Sequence, residues 1–567
     1  MSTLKDYWLR VFKQRLNNTK TPYVFSLFLF CLLTIVPLYA GDRTNIPLKN
    51  WGGFAIERSW IYDSLEKIVL AGLADHALLN TKPLSRMEAA KIVAQAVHKL
   101  EQDKYGDYND RGYLEDLLYQ LTKEFGQELA EMGIRTPLNH DTKTGFFGLK
   151  PVDHVQLGST YTNDTQKLIN HSGERVDKGV NGNFTFDGRE QVGDYLSLYY
   201  QPEFSINEDD SQGSLQVGYG KLTFWNTELE VGRDSMWWGP GFHGSMLFSN
   251  NAAPLNQIRI GSAEPFLLPS FLSYIGPMKA TFLVGQLGDR SHFIEKTDPL
   301  TYSDFPDAMV GAYRISAAPL KYVELGFGRA FQFGGDGRHF TIGDFPGALF
   351  QTTTTHGIDD PNSSRNVNNL MSLDATARIP NVERYIFIAR DAAIYGEMGY
   401  DDTTKGFIYP KKPGGIIGTY LTGFLWDPYL DLRLEYAKTT PIQFTHRIYK
   451  DGFTYNDTVL SHFIGTAGRE LYGRLTHWVT HDVLLGFQAS SARIGTTRWP
   501  NEKPPPPTVF GREIEKRNTL GFDVSYRISE LSSIFVGYEI ARVTNRDFVL
   551  ADPAFEHVFS VEYTRSF

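Results

Sequence analysis

Two adjacent tryptophans, Trp237 and Trp238, are followed by Gly239-Pro240-Gly241 and then by His243 between Phe242 and Gly244. Asn250, Asn251 and Arg259 come soon after. Flat ring faces beside amide, imidazole and guanidinium donors suit a sugar, which needs a surface to stack on and partners for its hydroxyls. Gly239, Gly241 and Gly244 permit close backbone approach, and Pro240 stiffens the turn between the first two. Trp237, Trp238, His243, Asn250, Asn251 and Arg259 are therefore the candidate sugar-binding set. The same residues also suit a loop folded inward and packed by its own aromatics, and sequence alone leaves both arrangements open.

Catalytic chemistry is less well provided for. His243 lies near Ser245 and Asp234, but a triad is recognised by geometry and not by proximity in sequence. No His-Glu-x-x-His or Gly-x-Ser-x-Gly occurs, and Gly334-Gly335-Asp336-Gly337 lacks the Lys-Ser/Thr of a phosphate loop. The acidic pairs Asp209-Asp210, Asp359-Asp360 and Asp401-Asp402 have the oxygen chemistry of weak Ca²⁺ ligands, yet solvated loops are the simpler reading. The chain is read as a non-enzyme, with no metal and no cofactor.

Composition narrows the class. The 567 residues include one Cys, which leaves no disulfide framework and no thiolate metal site. Aromatics make up 14% and 52 residues are Gly, while mean hydropathy is −0.30. An aromatic, Gly-rich and polar chain fits an all-β fold with many turns and argues against a polytopic helical membrane protein. The formal charge of −9 argues against a nucleic-acid binder.

Residues 1–40 have the layout of a secretory signal peptide. Lys5, Arg10, Lys13, Arg15 and Lys20 stand against Asp6, the uncharged run 23–36 follows, and Ala40 offers a small exit residue. The run is short for a transmembrane helix, which takes about 20 residues. Removing this leader takes away five basic residues, one acidic residue and Cys31, leaving a charge of −13. A mature chain in a membrane must then cross it as a closed barrel, the other architecture that satisfies the backbone in lipid.

Residues 41–140 read as a periplasmic helical bundle. Apolar residues at 62, 65, 68, 69 and 73 share one helical face, as do Ala89, Ile92, Val93, Ala96, Val97 and Leu100. A third stripe, over about 112–132, runs through Leu114, Leu117, Leu118, Leu121, Phe125 and Leu129. Ser85 and Glu88 have the spacing of a capping box. The segment 72–90 resembles half of a surface-layer-homology repeat, which implies peptidoglycan or another cell-wall polymer as a partner of this domain.

Residues 141–567 change to a period of two. Candidate strands include 192–204, 215–225, 227–233, 278–287, 308–315, 322–331, 385–400, 416–425, 429–437, 471–479, 483–492, 519–526 and 534–541. Long loops near 333–369, 440–466 and 494–515 alternate with turns as short as 480–482, the asymmetry of an outer-membrane barrel. The last strand alternates cleanly: Phe559, Val561, Tyr563 and Phe567 on one face, Ser560, Glu562, Thr564 and Ser566 on the other. Tyr563 and Phe567 resemble the C-terminal signal read by barrel-assembly machinery. At ~23 residues per strand and loop, the region holds about 18 strands, given about 9–11 residues per transmembrane strand.

The stretches Gly232–Ile260 and Gly276–Arg290 resemble the core of the capsule-assembly Wzi family, and the layout of leader, helical bundle and aromatic C-terminus matches that family along the mature chain. The resemblance implies a plugged outer-membrane β-barrel of about 18 strands that takes part in capsule or exopolysaccharide assembly. It also implies a lectin-like role, holding capsular or extracellular polysaccharide at the cell surface, with outer-membrane lipid around the barrel. The rival expectation from another class is a carbohydrate-selective diffusion porin, which differs in having an open lumen.

Overall fold

The computed structural model describes residues 42–48, 60–102, 111–134, 147–193, 195–207, 211–288, 307–335, 338, 340–350, 367–386, 388–404, 409–446, 449, 452–495 and 513–567. The expected leader, Asp209-Asp210, Asp359-Asp360 and most of the loop 494–515 lie outside these residues.

Eighteen antiparallel strands close into one barrel. They are β1 Phe147–Thr162, β2 Gly179–Val192, β3 Leu196–Ile206, β4 Ser211–Phe224, β5 Thr227–Asp234, β6 Leu255–Ser262, β7 Met278–Gln286, β8 Met309–Leu320, β9 Val323–Phe333, β10 Asn368–Ile379, β11 Asp391–Tyr400, β12 Gly414–Thr422, β13 Leu430–Lys438, β14 Arg469–Thr480, β15 Val483–Ile494, β16 Glu515–Ser529, β17 Ser532–Thr544 and β18 Ala554–Ser566. Closure comes from β1 on β18, with Tyr161 opposite Phe559 and Gly158 opposite Glu562. The expected count of about 18 is met. Strands β1, β2, β6 and β10 were absent from the sequence expectation, and 192–204 runs from the last residue of β2 through a turn into β3. The start expected at Tyr385 falls instead in the 380–390 turn, ahead of β11.

Alternation along each strand separates two surfaces. In β13, Asp431, Arg433 and Glu435 are buried, while Leu434, Tyr436 and Lys438 are exposed. The outward set around the wall includes Leu157, Phe184, Leu222, Ile258, Ile394, Leu434, Phe487, Leu520, Phe522 and Phe559, all exposed. An apolar outside and a polar inside are the pattern of a transmembrane barrel. The last strand follows its expected faces: Ser560 and Glu562 are buried, and Phe559 and Val561 are exposed.

The two ends differ. One has short turns, such as 321–322, 481–482 and 530–531, and the other carries the long connections 163–178, 235–254, 287–308, 334–367 and 439–468. Among the described residues, four helices precede the barrel: α1 Trp60–Leu70, α2 Arg86–Gln102, α3 Arg111–Glu124 and α4 Gly126–Glu131. The helical stripe expected over 112–132 divides between α3 and α4 at Phe125. Ser85 caps α2 by accepting the Glu88 amide at 3.1 Å. The Glu88 carboxylate meets Lys279 of β7 at 2.5 Å, so only half of the expected capping box forms.

The helices enter the short-turn mouth of the barrel. His76 donates its backbone amide to Lys321 O at 3.0 Å, and Arg527 reaches Gln120 at 2.7 Å. Their buried side chains form one core with Trp237, Phe242 and Tyr472, residues of the barrel region.

Candidate functional site

A barrel of 16–18 strands ordinarily leaves an aqueous channel. Here the channel is occupied from both ends. From the long-loop end, residues 235–254 turn down into the lumen. Trp237 and Trp238 pair as a two-residue antiparallel ladder with Lys82 and Thr81 of the helical region, and Gly239 donates its amide to Asn80 O at 2.9 Å. The glycines of this loop are set by close approach. A Cβ on Gly244 would overlap the His462 ring, and one on Gly239, which has φ +147°, would overlap the Glu397 carboxylate.

The inner wall grips this plug through ions. Glu435 of β13 accepts the backbone amides of Phe242 at 2.7 Å and His243 at 3.1 Å, and also the Tyr395 hydroxyl at 3.0 Å. Arg433 lies over the rings of Tyr420 and Phe242, 3.5 and 4.4 Å from their centroids. It also pairs with Glu66 of α1 at 2.7 Å. Asp431 holds Lys67 of α1 at 2.7 Å. Deeper in the wall, Arg314 and Asp374 form a fully buried pair at 2.8 Å. Arg378 meets Glu324 at 2.8 Å, and Glu324 in turn accepts the Asn80 amide at 2.8 Å. Charges taken out of water need such partners, because an unpaired buried ion costs several kcal/mol on the order of its desolvation.

The sequence-chosen residues take part in this packing. Trp237 is 0% exposed, and its indole N–H donates to Gly241 O at 2.9 Å. Trp238 is 1% exposed and packs edge-on against Phe248 at 5.1 Å. His243 stacks on Tyr472 at 4.0 Å with the rings 8° apart, and its Nδ1 is 3.1 Å from Glu470. Burial works against a charge on His243, but the Glu470 carboxylate outweighs it and holds the imidazole above its ordinary value. His462, 3.7 Å from the same carboxylate, is pushed down to about 4 by burial and by the neighbouring His243.

Asn250 donates to Leu48 O at 2.5 Å and Asn251 to Val459 O at 3.0 Å. Arg259 pairs with Glu230 at 2.6 Å and Asp234 at 3.0 Å. Asp234 is thus engaged with Arg259, and Ser245 donates to Trp238 O and not to His243, so no triad assembles around His243. The six candidates lie inside one plug and its wall, and neither indole face is open. That geometry corrects the picture of a solvent-facing sugar platform and matches the inward-folded arrangement.

Two further loops lock the plug. In 439–468, Leu460 O accepts the Ser249 amide at 2.8 Å. In 163–178, Asn170 donates to His243 O at 3.0 Å, and Ser172 donates its amide to Asn250 O at 2.7 Å. The cavities that the described residues line beside the plug are small. A cavity of about 30 Å³ lies under the 163–178 loop, lined by Lys167, Ile169, His243, Tyr472, Arg517 and Glu539. Another of about 30 Å³ touches Lys82, Trp238, Arg259 and Lys279. Each has room for about two waters, far below the roughly 300 Å³ that small-ligand pockets begin at.

Arg314, Asp374, Arg433, Glu435 and Glu470 were not singled out in the sequence. A signal existed: single charges at alternate positions of otherwise apolar strands, as in Leu430-Asp431-Leu432-Arg433-Leu434-Glu435-Tyr436.

The chain is similar to known proteins in sequence and in fold. A family model described as capsule assembly protein Wzi matches residues 155–554. An uncharacterized 55.8 kDa protein in the cps region of Klebsiella pneumoniae is 26% identical over 283 residues, 49% of this chain and 47% of the relative. The matched stretch therefore spans about half the length of that curated relative. Wzi of Escherichia coli is described as an outer-membrane protein involved in group 1 capsule assembly and a carbohydrate-binding β-barrel. It superposes with a TM-score of 0.64 at 17% identity, covering 91% of this chain and 99% of that one. OccD3 (OpdP) of Pseudomonas aeruginosa gives a TM-score of 0.42 at 12% identity, covering 74% of this chain and 91% of that one.

Proposed function

The chain belongs to the capsule assembly protein Wzi family, and from that premise we propose that it is an outer-membrane protein that binds and holds capsular or extracellular polysaccharide at the cell surface, without catalysis. The filled lumen is the observation that carries this reading. A porin needs a continuous aqueous path, whereas the lumen here holds residues 81–82 paired with Trp237–Trp238, α1 tied to the wall through Lys67–Asp431, and the 235–254 loop tied to it through Glu435. A surface-retention role needs no such path.

Orientation follows from the barrel's asymmetry: short turns in the periplasm, long loops outside. Residues 41–140 are then a periplasmic helical domain seated in the barrel mouth, and the leader 1–40 is removed on export. Barrel-assembly machinery would read Tyr563 and Phe567 at the end of the last strand, a reading that the exposure of Phe567 supports. A cell-wall polymer would meet the helical domain on the periplasmic side.

Burial of Trp237 and Trp238 supports a plug-holding role for the motif, so contact with polymer falls to the outer loops. There Lys167 ties 163–178 to 439–468 by donating to Asn456 O at 3.0 Å and Asp457 O at 2.9 Å. A long polymer touching many copies is retained by avidity, without tight single-site binding. The test compares cell-bound and shed polysaccharide in cells with and without the protein. More polymer stays cell-bound when the protein is present; equal partition in both refutes the reading.

A further inference from the structure

On the outward face of the barrel, at the long-loop end, four cations stand side by side. The pairing places Lys438 of β13 opposite Arg469 of β14, Arg469 opposite Arg493 of β15, and Arg493 opposite Lys516 of β16. All four are exposed, and so is Arg542 of β17, which lies opposite Asn518 of β16, two residues further along from Lys516. Adjacent strands are about 4.8 Å apart, so the row spans about 15 Å.

Like charges directly opposite one another destabilise a sheet, and here three such pairs follow in succession. Among the described residues no carboxylate forms an ion pair with any of the five. The acids of these strands point the other way: Glu435, Glu470, Glu515 and Asp523 are buried on the inner face. Below the row the outward face turns apolar: Tyr436 and Leu471 come directly beneath Lys438 and Arg469, and Leu520 comes beneath the exposed pair in which Ser491 donates to Asn518 at 2.8 Å. The row thus stands at the upper border of the lipid-facing band, where hydrocarbon gives way to headgroups. Past β18, the corresponding ends of the neighbouring strands β1, β2 and β3 carry Tyr161, Val180 and Ile206 instead. The row therefore does not continue onto β1–β3.

We propose that Lys438, Arg469, Arg493 and Lys516, with Arg542 beside them, form a binding site on the barrel wall for the phosphate groups of an outer-leaflet glycolipid. Its acyl chains lie against the apolar face below, and its phosphates neutralise the row. Arginine's fork suits phosphate oxygens, and a row of cations on neighbouring strands meets a headgroup bearing more than one phosphate. An anionic polymer passing over the loops would engage side chains at the loop tips, not a row bordering the hydrocarbon. This inference rests on the outward orientation of the long loops proposed above.

The test uses the full-length protein in detergent micelles, with bis-phosphorylated lipid A and its dephosphorylated analogue as probes, read by native mass spectrometry. The protein retains the phosphorylated lipid and at least tenfold less of the dephosphorylated one. The combined variant K438Q/R469Q/R493Q/K516Q loses at least tenfold in affinity while keeping the heat-modifiable migration of a folded barrel. Should that variant not fold, R469Q/R493Q gives the same comparison with a smaller loss. Equal binding of both lipids, unchanged binding by a folded variant, or displacement of the lipid by soluble acidic polysaccharide overturns the site. Binding in micelles depends neither on orientation in the cell nor on polymer. Lost polymer retention with intact lipid binding therefore counts against the proposed function alone, and intact retention with unchanged lipid binding by the variant counts against this site alone.

Discussion

The two faces of β13 differ in what holds them. Outward, Leu434 and Tyr436 meet a solvent of hydrocarbon that any apolar side chain of similar size would match. Inward, Asp431, Arg433 and Glu435 each grip a particular group of the plug: Lys67, Glu66 and the Phe242 amide. The outside is matched to a medium, and the inside to partners. The comparison teaches that the plug is located by ion pairs and backbone amides, with the aromatic motif filling the space between them. Substitutions on the inner face should therefore be specific and costly, and those on the outer face graded by depth.

The largest effects fall inside. Arg314→Ala leaves Asp374 buried without its 2.8 Å partner and costs about 3–5 kcal/mol, read as a drop in the urea midpoint of the purified barrel. Trp237→Ala opens a void where helices and plug share a core. It costs about 3–5 kcal/mol on the scale of large-to-small core changes, and it raises protease sensitivity in 60–131 before the barrel unfolds. If Trp237→Ala instead leaves stability unchanged and abolishes polymer retention, the inner-face account fails.

Next comes the outer face. Leu434→Arg puts a charge into the lipid band and costs about 2–4 kcal/mol if the site is near the midplane, whereas the same kind of change at an exposed strand end, Ile206→Arg, costs about 0–1 kcal/mol. Equal costs at the two positions would erase the depth dependence that defines this face.

A smaller effect is tied to pH. His243 in the folded protein titrates above its ordinary value because of Glu470, so the pair's contribution is complete below about pH 6.5, the usual histidine value, and is lost as pH rises through the raised folded value. The stability gap between wild type and His243→Gln should narrow over that rise; a gap that widens contradicts the pairing. Smallest is Lys91→Gln, which removes a partly exposed bridge between α2 and Glu264 and costs less than about 1 kcal/mol.

Much of this architecture was legible in the sequence because a strict alternation leaves few alternatives. The last strand, with Ser560 and Glu562 against Phe559 and Val561, reads directly as a wall with two unlike faces. The helical faces at 62–73 and 89–100 read as plainly, since one apolar stripe at that spacing has one use. Strand β2 was harder: Gly-Val-Asn-Gly-Asn-Phe-Thr-Phe-Asp-Gly carries turn residues that a barrel tolerates because neighbouring strands supply the pairing. The start at Tyr385 was misplaced because the exposed Tyr385, Ile386 and Ile388 of the 380–390 turn resemble strand residues.

The Trp-Trp-Gly-Pro-Gly segment was recognisable as unusual, but not its direction. Aromatic rings beside amides suit a sugar or a core equally well, and only the placement of Glu435, nearly 200 residues away in sequence (193 from Phe242), turns the loop inward. The separate charges of β8–β14 were visible one by one. Their pairing depends on strand register around a closed wall, which no local pattern carries.

The most direct test is single-channel conductance of the refolded full-length protein in a planar bilayer. A lumen closed by the helices, the 235–254 loop and the inner-wall ion pairs predicts silence from a protein whose circular dichroism is that of a folded β-barrel. Deletion of 235–254 then raises conductance. A steady open channel from the intact chain would contradict the account.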